Sequence, residues 1–411
     1  MKQHFNTAIN YFNLISLILL TATSVFHYDM QFLAFIFFFS SYTIELIVER
    51  KWERVKFDKK GWLYIILAVF FLLVFVYHPF ENSNKYFDNL VSRRFALFGF
   101  AIVGFFGVNK KYKLSYFLNT FIISSVVAVF YLLFFRIGIV EFIINPLRNE
   151  VFAEARIEYV NTHMGFNIYL NIALVGIWYI LTRSWRLLPL WKNLLYIGAL
   201  SVIFGTLSIS EGRSGFVTAI ILMLSFIFYE LWKRKRTMGI VIGFLVPFLF
   251  IGILSQHSRI SEKIIKTEPR IFLWKAAISV IKEKPFFGYG ISSGQEHYDV
   301  ARAKYETLEY RKYARPMKIL HTHNQLLQTT LEFGIFGLSI LLFLLSFPIF
   351  IADKNRRFFA FLLIFTIVYQ SMFDIIITGL GFASIFGILL LLILSIENNI
   401  VKGSQVKKIR K

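Results

Sequence analysis

Apolar runs of about 20 residues recur from one end of the chain to the other, separated by short polar connectors. A run of that length spans a bilayer as a helix, and none shows the short alternating pattern of a barrel strand. Twelve spans are predicted, at about 7–26, 30–48, 61–79, 92–108, 115–135, 164–182, 193–210, 214–232, 238–254, 334–352, 358–377 and 381–396. The expected fold class is an all-α polytopic membrane protein. One connector departs from the pattern, a loop of about 75 residues (255–333) between the ninth and tenth runs. Inside it, Ile271, Trp274, Ile278 and Ile281 recur at three- and four-residue spacing, which predicts an amphipathic helix over 268–283. Thr267 is its expected N-cap, Pro269 lies in its first turn, and Pro285 and Gly288 follow its end. Residues 296–315 predict an exposed charged helix, and Gly288–Gly294 a flexible turn. The chain thus divides into spans one to nine (1–254), a large helical loop (255–333), spans ten to twelve (334–397) and a basic tail (398–411).

Composition agrees: 57% of the 411 residues are hydrophobic, and the 49 phenylalanines fit lipid-facing bulk. The chain has no cysteine, which excludes disulfides and thiol chemistry. The first apolar run lacks a small-residue cleavage site and is expected to stay as a membrane helix. Charge changes the picture further. With the N-terminus inside, the short inner segments hold 25 Lys or Arg and the short outer ones seven. That asymmetry predicts both termini in the cytoplasm and the 255–333 loop outside. The loop carries 13 Lys or Arg and eight acids. Such a surface suits an anionic partner such as a lipid phosphate, and it equally suits a solvated surface resting on anionic headgroups.

Candidate chemistry gathers at the same predicted face. Arg93, Arg94, Arg136, Arg213 and Asp374 fall near outer span ends, and no acid lies near a span centre. That counts against an ion-coupled transporter, which needs a midplane site. Arg270 lies in the first turn of the predicted loop helix, where free N–H groups and a guanidinium suit a phosphate; alternatively it pairs with Glu268 or Glu211. Ser210–Gly215 (SEGRSG) forms a tight turn whose small residues allow close approach to a ligand, or simply lets Arg213 reach the headgroups. Thr322 and Gln325 fit a capping box, which makes His323 the first helical residue and Asn324 the second. A His there feels the positive dipole end, which favours the neutral imidazole that a general base needs. His321 and His323 are also a possible zinc pair, but the loop offers no obvious carboxylate partner. The plainest alternative is a pair of capping or headgroup-contacting histidines. Gly288–Gly294 lacks the Lys-Ser/Thr of a phosphate loop.

Three segments together resemble the O-antigen ligase and polymerase family of bacterial membrane glycosyltransferases: SEGRSG at 210–215, RIFLWKAAISVIKEKPFFGYGISSG at 270–294 and HTHNQLLQTTLEFGIFG at 321–337. The resemblance implies an inverting, metal-independent enzyme with no cofactor, in the bacterial inner membrane and with its site on the periplasmic face. It implies a glycan donor on undecaprenyl diphosphate and a sugar hydroxyl of lipid A–core as acceptor, with membrane lipids but no nucleic acid as partners. Arg213 and Arg270, with Arg94 as a weaker candidate, would hold the diphosphate. His323 would be the base, with His321 and Asn324 beside it. One dominant outer loop favours a ligase over a polysaccharide polymerase; a protein O-glycosyltransferase shares the motifs, and a lipid-linked anion transporter is the rival of another class.

Overall fold

A computed structural model describes residues 2–26, 28–55, 57–76, 85–109, 111–138, 163–210, 213–234, 269–305, 321–377 and 380–395. These residues form thirteen α-helices and no β-strand. In chain order they are α1 (Lys2–Thr23), α2 (Tyr28–Val48), α3 (Lys59–Val76), α4 (Lys85–Phe106), α5 (Leu114–Tyr131), α6 (His163–Ser184), α7 (Leu190–Ile209), α8 (Arg213–Arg234), α9 (Pro269–Glu283), α10 (Ile291–Tyr305), α11 (Gln325–Ile351), α12 (Arg357–Ser371) and α13 (Leu380–Ser395). Seven of the helical segments are long and apolar enough to cross a membrane, and three further apolar segments are shorter. The protein is therefore a helical membrane protein. Every expected span except the ninth coincides with a helix; residues 238–254 lie outside the described residues.

The helices pair mostly with chain neighbours: α1 with α2, α3 with α4, α5 with α6 and α11 with α12. Two of them lie deep. In α6, 83% of the apolar window is buried, against 22% in α7, so α6 is an inner helix and α7 a peripheral one. The other is α13, buried from Leu380 to Leu394 and packed on α4. Helices apolar all round belong in such positions. At one end of the bundle, a polar cluster ties α2 to the turns beside it. Glu45 is fully buried and pairs with Lys51 at 2.5 Å, and Asn109 donates to Glu45 at 3.0 Å. Lys51 also donates to the carbonyl of Gly107 at 3.0 Å. Buried charges persist only when paired and hydrogen-bonded in this way.

The element that shapes the other end is α11. The helix expected from His323 into the tenth span begins at Gln325, two residues later, and is broken at Gly334 (φ 65°, ψ −166°). Residues 285–290 fill the break. Tyr289 and Gly290 donate backbone N–H groups to the carbonyls of Leu331 (3.0 Å) and Glu332 (2.8 Å). Ile335 and Phe336 donate to the carbonyls of Pro285 (2.8 Å) and Phe286 (3.2 Å). These four bonds satisfy the four α11 groups that would pair with one another in an unbroken helix, as backbone groups away from water require. A Cβ on Gly334 would sit 2.2 Å from the Phe286 carbonyl, and one on Gly288 (φ +70°) 2.7 Å from Glu332 backbone. The expected flexible turn at 288–294 is thus a pinned plug, and Ser292–Gly294 already belong to α10.

Candidate functional site

The histidine segment is held from three sides. Thr322, fully buried, donates its hydroxyl to the carbonyl of Asn324 at 2.9 Å. Trp274 of α9 donates its indole N–H to the carbonyl of Thr322 at 3.1 Å. Tyr298 of α10 donates to the carbonyl of His321 at 3.5 Å. The expected capping box does not form. Asn324 is the N-cap, extended at φ −154°, and its side-chain oxygen accepts from the N–H groups of Leu326 and Leu327. Asn is among the best N-cap residues, and one residue closer to the apolar run it displaces Thr322 from the role. Gln325 turns instead to Thr329 and to the N–H of Ile377, at 3.1 and 3.0 Å.

The shift places His323 before the helix, in the left-handed region at φ 47°. A non-glycine residue there stores on the order of 1 kcal/mol or more of strain. The ring is turned onto the segment that follows α12, where His323 Nδ1 lies 3.3 Å from Asp374 Oδ1. His321 lies alongside, with ring centroids 4.7 Å apart and the planes tilted by 30°. Donor atoms of His321, His323 and Asp374 all fall within 4.8 Å of one another. The carboxylate that the loop itself lacks therefore arrives from 51 residues downstream. Burial, and next the charge of a protonated His323, hold the His321 imidazole below its ordinary value of 6.5. His321 is accordingly neutral at pH 7.

Both expected diphosphate-binding arginines of the central motifs reach this region by way of helix starts. Arg213 is the first residue of α8. Its neighbour Ser214 donates to Gln370 Oε1 at 3.3 Å, and Gln370 donates to Thr218 at 2.7 Å. The first turn of α8 is thus clamped to α12 one turn before Asp374. On its other side, Asn171 donates to the carbonyl of Gly215 at 3.0 Å, and Ser210 donates to Asn167 at 2.9 Å. A Cβ on Gly215 would come within 2.7 Å of Asn167, so this small residue serves helix packing and not ligand approach. Arg270, second residue of α9, is half-buried with its guanidinium carbon 6.0 Å from the ring centre of Phe373, adjacent to Asp374. The starts of α8, α9 and α11 thereby converge on residues 370–377. Helix starts carry unsatisfied N–H groups and a positive dipole end.

Arg94 is different. It is buried in α4 and closed in an ion pair with Glu332 at 3.0 Å, while Gln328 donates to the other Glu332 oxygen at 2.9 Å. Its guanidinium is engaged with the wall of α11 just before the break. Sequence reasoning assigned no role to Asp374, Gln370 or Phe373. A lone Gln within the apolar run of α12 was the available signal, since such a residue usually bonds to another helix.

Comparison with known proteins adds family information over the middle of the chain. Residues 198–342 match a family model described as O-antigen ligase. A protein of Rickettsia typhi with the provisional name polysaccharide ligase is 31% identical over 149 residues, covering 34% of this chain and 36% of that protein. A protein of the same provisional name from Rickettsia prowazekii is 30% identical over 149 residues, with the same coverage. One from Rickettsia felis is 32% identical over 143 residues, or 33% of this chain and 34% of the relative. The similarity spans about a third of these relatives' length. The family match at 198–342 contains Arg213, Arg270, His321 and His323, while Arg94 and Asp374 lie outside it.

Proposed function

We propose that this chain, a member of the O-antigen ligase family through residues 198–342, is a metal-independent membrane glycosyltransferase. It passes a glycan from undecaprenyl diphosphate to a sugar hydroxyl of lipid A–core, at the periplasmic face of the inner membrane. The observation that carries the reading is the convergence of three helix starts, bearing Arg213, Arg270 and the His323 segment, on the residues around Asp374. Such a point suits a diphosphate, because guanidinium groups and the positive ends of helix dipoles both favour concentrated negative charge. The chemistry follows from the arrangement. His323 takes the proton of the acceptor hydroxyl, whose oxygen attacks the first sugar carbon of the donor as the bond to the diphosphate breaks. Attack opposite the leaving group inverts that carbon. Arg213 and Arg270 stabilise the charge that develops on the diphosphate. Asp374 orients the His323 ring and stabilises the imidazolium once formed, and His321 and Asn324 fix the backbone around it.

The same reading puts twelve spans in the membrane, both termini in the cytoplasm and residues 255–333 outside. It is tested by transfer from a lipid-linked glycan by purified protein with chelator throughout, offering lipid A–core or donor alone. Glycan on lipid A–core, lost about 10²–10⁴-fold in His323→Ala, is the expected result. Lengthening of donor alone would make the chain a polymerase. Transfer undiminished in His323→Ala would remove the base assignment.

A further inference from the structure

His321, His323 and Asp374 bring two imidazole nitrogens and one carboxylate oxygen to one point, with every pair of donor atoms within 4.8 Å. The 3.3 Å between His323 Nδ1 and Asp374 Oδ1 is longer than the roughly 2.7–2.9 Å of a charge-assisted hydrogen bond. It matches another geometry. Ligands about 2.0–2.1 Å from a tetrahedral zinc ion lie about 3.3–3.4 Å apart. One edge of such a tetrahedron is therefore already built. With all three donor atoms within 4.8 Å of one another, a closure of about 1.4 Å at most completes a face. All three side chains are only partly buried, so an ion has a path in and a fourth position stays open. Two imidazoles with one carboxylate suit zinc-class ions, whereas magnesium and calcium prefer oxygen donors.

We propose that these three residues form a binding site for a divalent cation of the zinc class, and that occupation switches transfer off. A bound ion takes the His323 lone pair that must accept the acceptor's proton. The switch rests on the transferase reading given above; the binding site does not. Arg270, beside Phe373, and the basic loop oppose a cation, so the site is expected to load reversibly and not as a permanent centre.

The test uses the full chain, purified without a histidine tag, and Co²⁺ as probe. The chain has no cysteine, so visible absorption reports nitrogen and oxygen ligation alone. One equivalent of Co²⁺ should give the bands of a four- or five-coordinate site, and Zn²⁺ should displace it. His321→Ala and Asp374→Asn should each weaken binding by about tenfold or more. His297→Ala, which removes a ring tilted against Tyr289 and distant in the chain from the site, should leave the bands unchanged and controls for general loss of structure. No bands, or bands insensitive to His321→Ala and Asp374→Asn, would overturn the site. In the transfer assay Zn²⁺ should inhibit over the range in which it displaces Co²⁺, and chelator should restore the rate. Full transfer with the ion bound would overturn the switch. A chain that binds Co²⁺ yet transfers nothing under any condition would overturn the switch together with the transferase reading, and would leave the metal site standing.

Discussion

At the scale of single residues, the site depends on contacts between side chains far apart in sequence. Asp374→Asn keeps the shape beside His323 but removes the carboxylate charge that faces the ring as it takes up the acceptor's proton. Transfer should fall about 10²–10⁴-fold, read as kcat with little change in donor affinity. Arg94 gives the contrasting case. Arg94→Ala strands the buried carboxylate of Glu332 and should lower stability by about 3–5 kcal/mol, read as a fall in thermal midpoint. Arg94→Ala combined with Glu332→Gln should recover part of that loss. A diphosphate ligand would instead raise KM and leave the midpoint unchanged. His321 carries a pH dependence whose sign follows from its lowered titration. As pH falls below 6.5 the unfolded chain takes up a proton before the folded one does, so stability declines on the acid side. Replacing His321 with Gln should flatten that limb in midpoint measurements between pH 7 and 5. The sequence made His323 and the two motif arginines legible because their neighbours carry local patterns. Asp374 was visible only as an ionisable group near a span end, because nothing in a sequence pairs it with a histidine 51 residues away.

At the scale of elements, the sequence predicted the start of α9 to within a residue through Pro269, and eleven of its twelve spans fall wholly or mainly on apolar helices that need no partner to be recognised. It placed the start of α11 two residues early, at His323, because Thr322 and Gln325 offered a capping box that Asn324 displaces. The break at Gly334 was hidden, because glycine inside a helical pattern is often tolerated. Its partner, the 285–290 plug, makes a sharp test possible. Gly334→Ala brings a methyl carbon into the Phe286 carbonyl and forces a left-handed φ on alanine. A cost of about 1–3 kcal/mol or more is expected. Cleavage by added protease between Lys284 and Tyr289 should become faster, while α1–α6 stay protected. Unchanged cleavage would mean that the plug is held by something other than the break.

At the scale of the whole molecule, hydropathy made the architecture legible and the charge distribution gave an orientation that can be checked directly. The chain has no native cysteine, so a single cysteine reports on one position only. An impermeant thiol reagent applied to sealed right-side-out vesicles should label Lys304→Cys in α10 and spare Lys111→Cys between α4 and α5. Labelling of both, or the reverse preference, would overturn the assignment of sides. How the helices converge on residues 370–377 was beyond sequence reading, because it is fixed by interhelical bonds such as Gln370 to Thr218 and Asn171 to Gly215. The plug has one more consequence, in time. Residues 285–290 leave the ribosome before residues 331–336, so the segment that completes α11 already exists when the broken helix is made. An interrupted helix synthesised first would wait with four backbone groups unpaired. Here the order of synthesis supplies the missing bonds as the need for them arises.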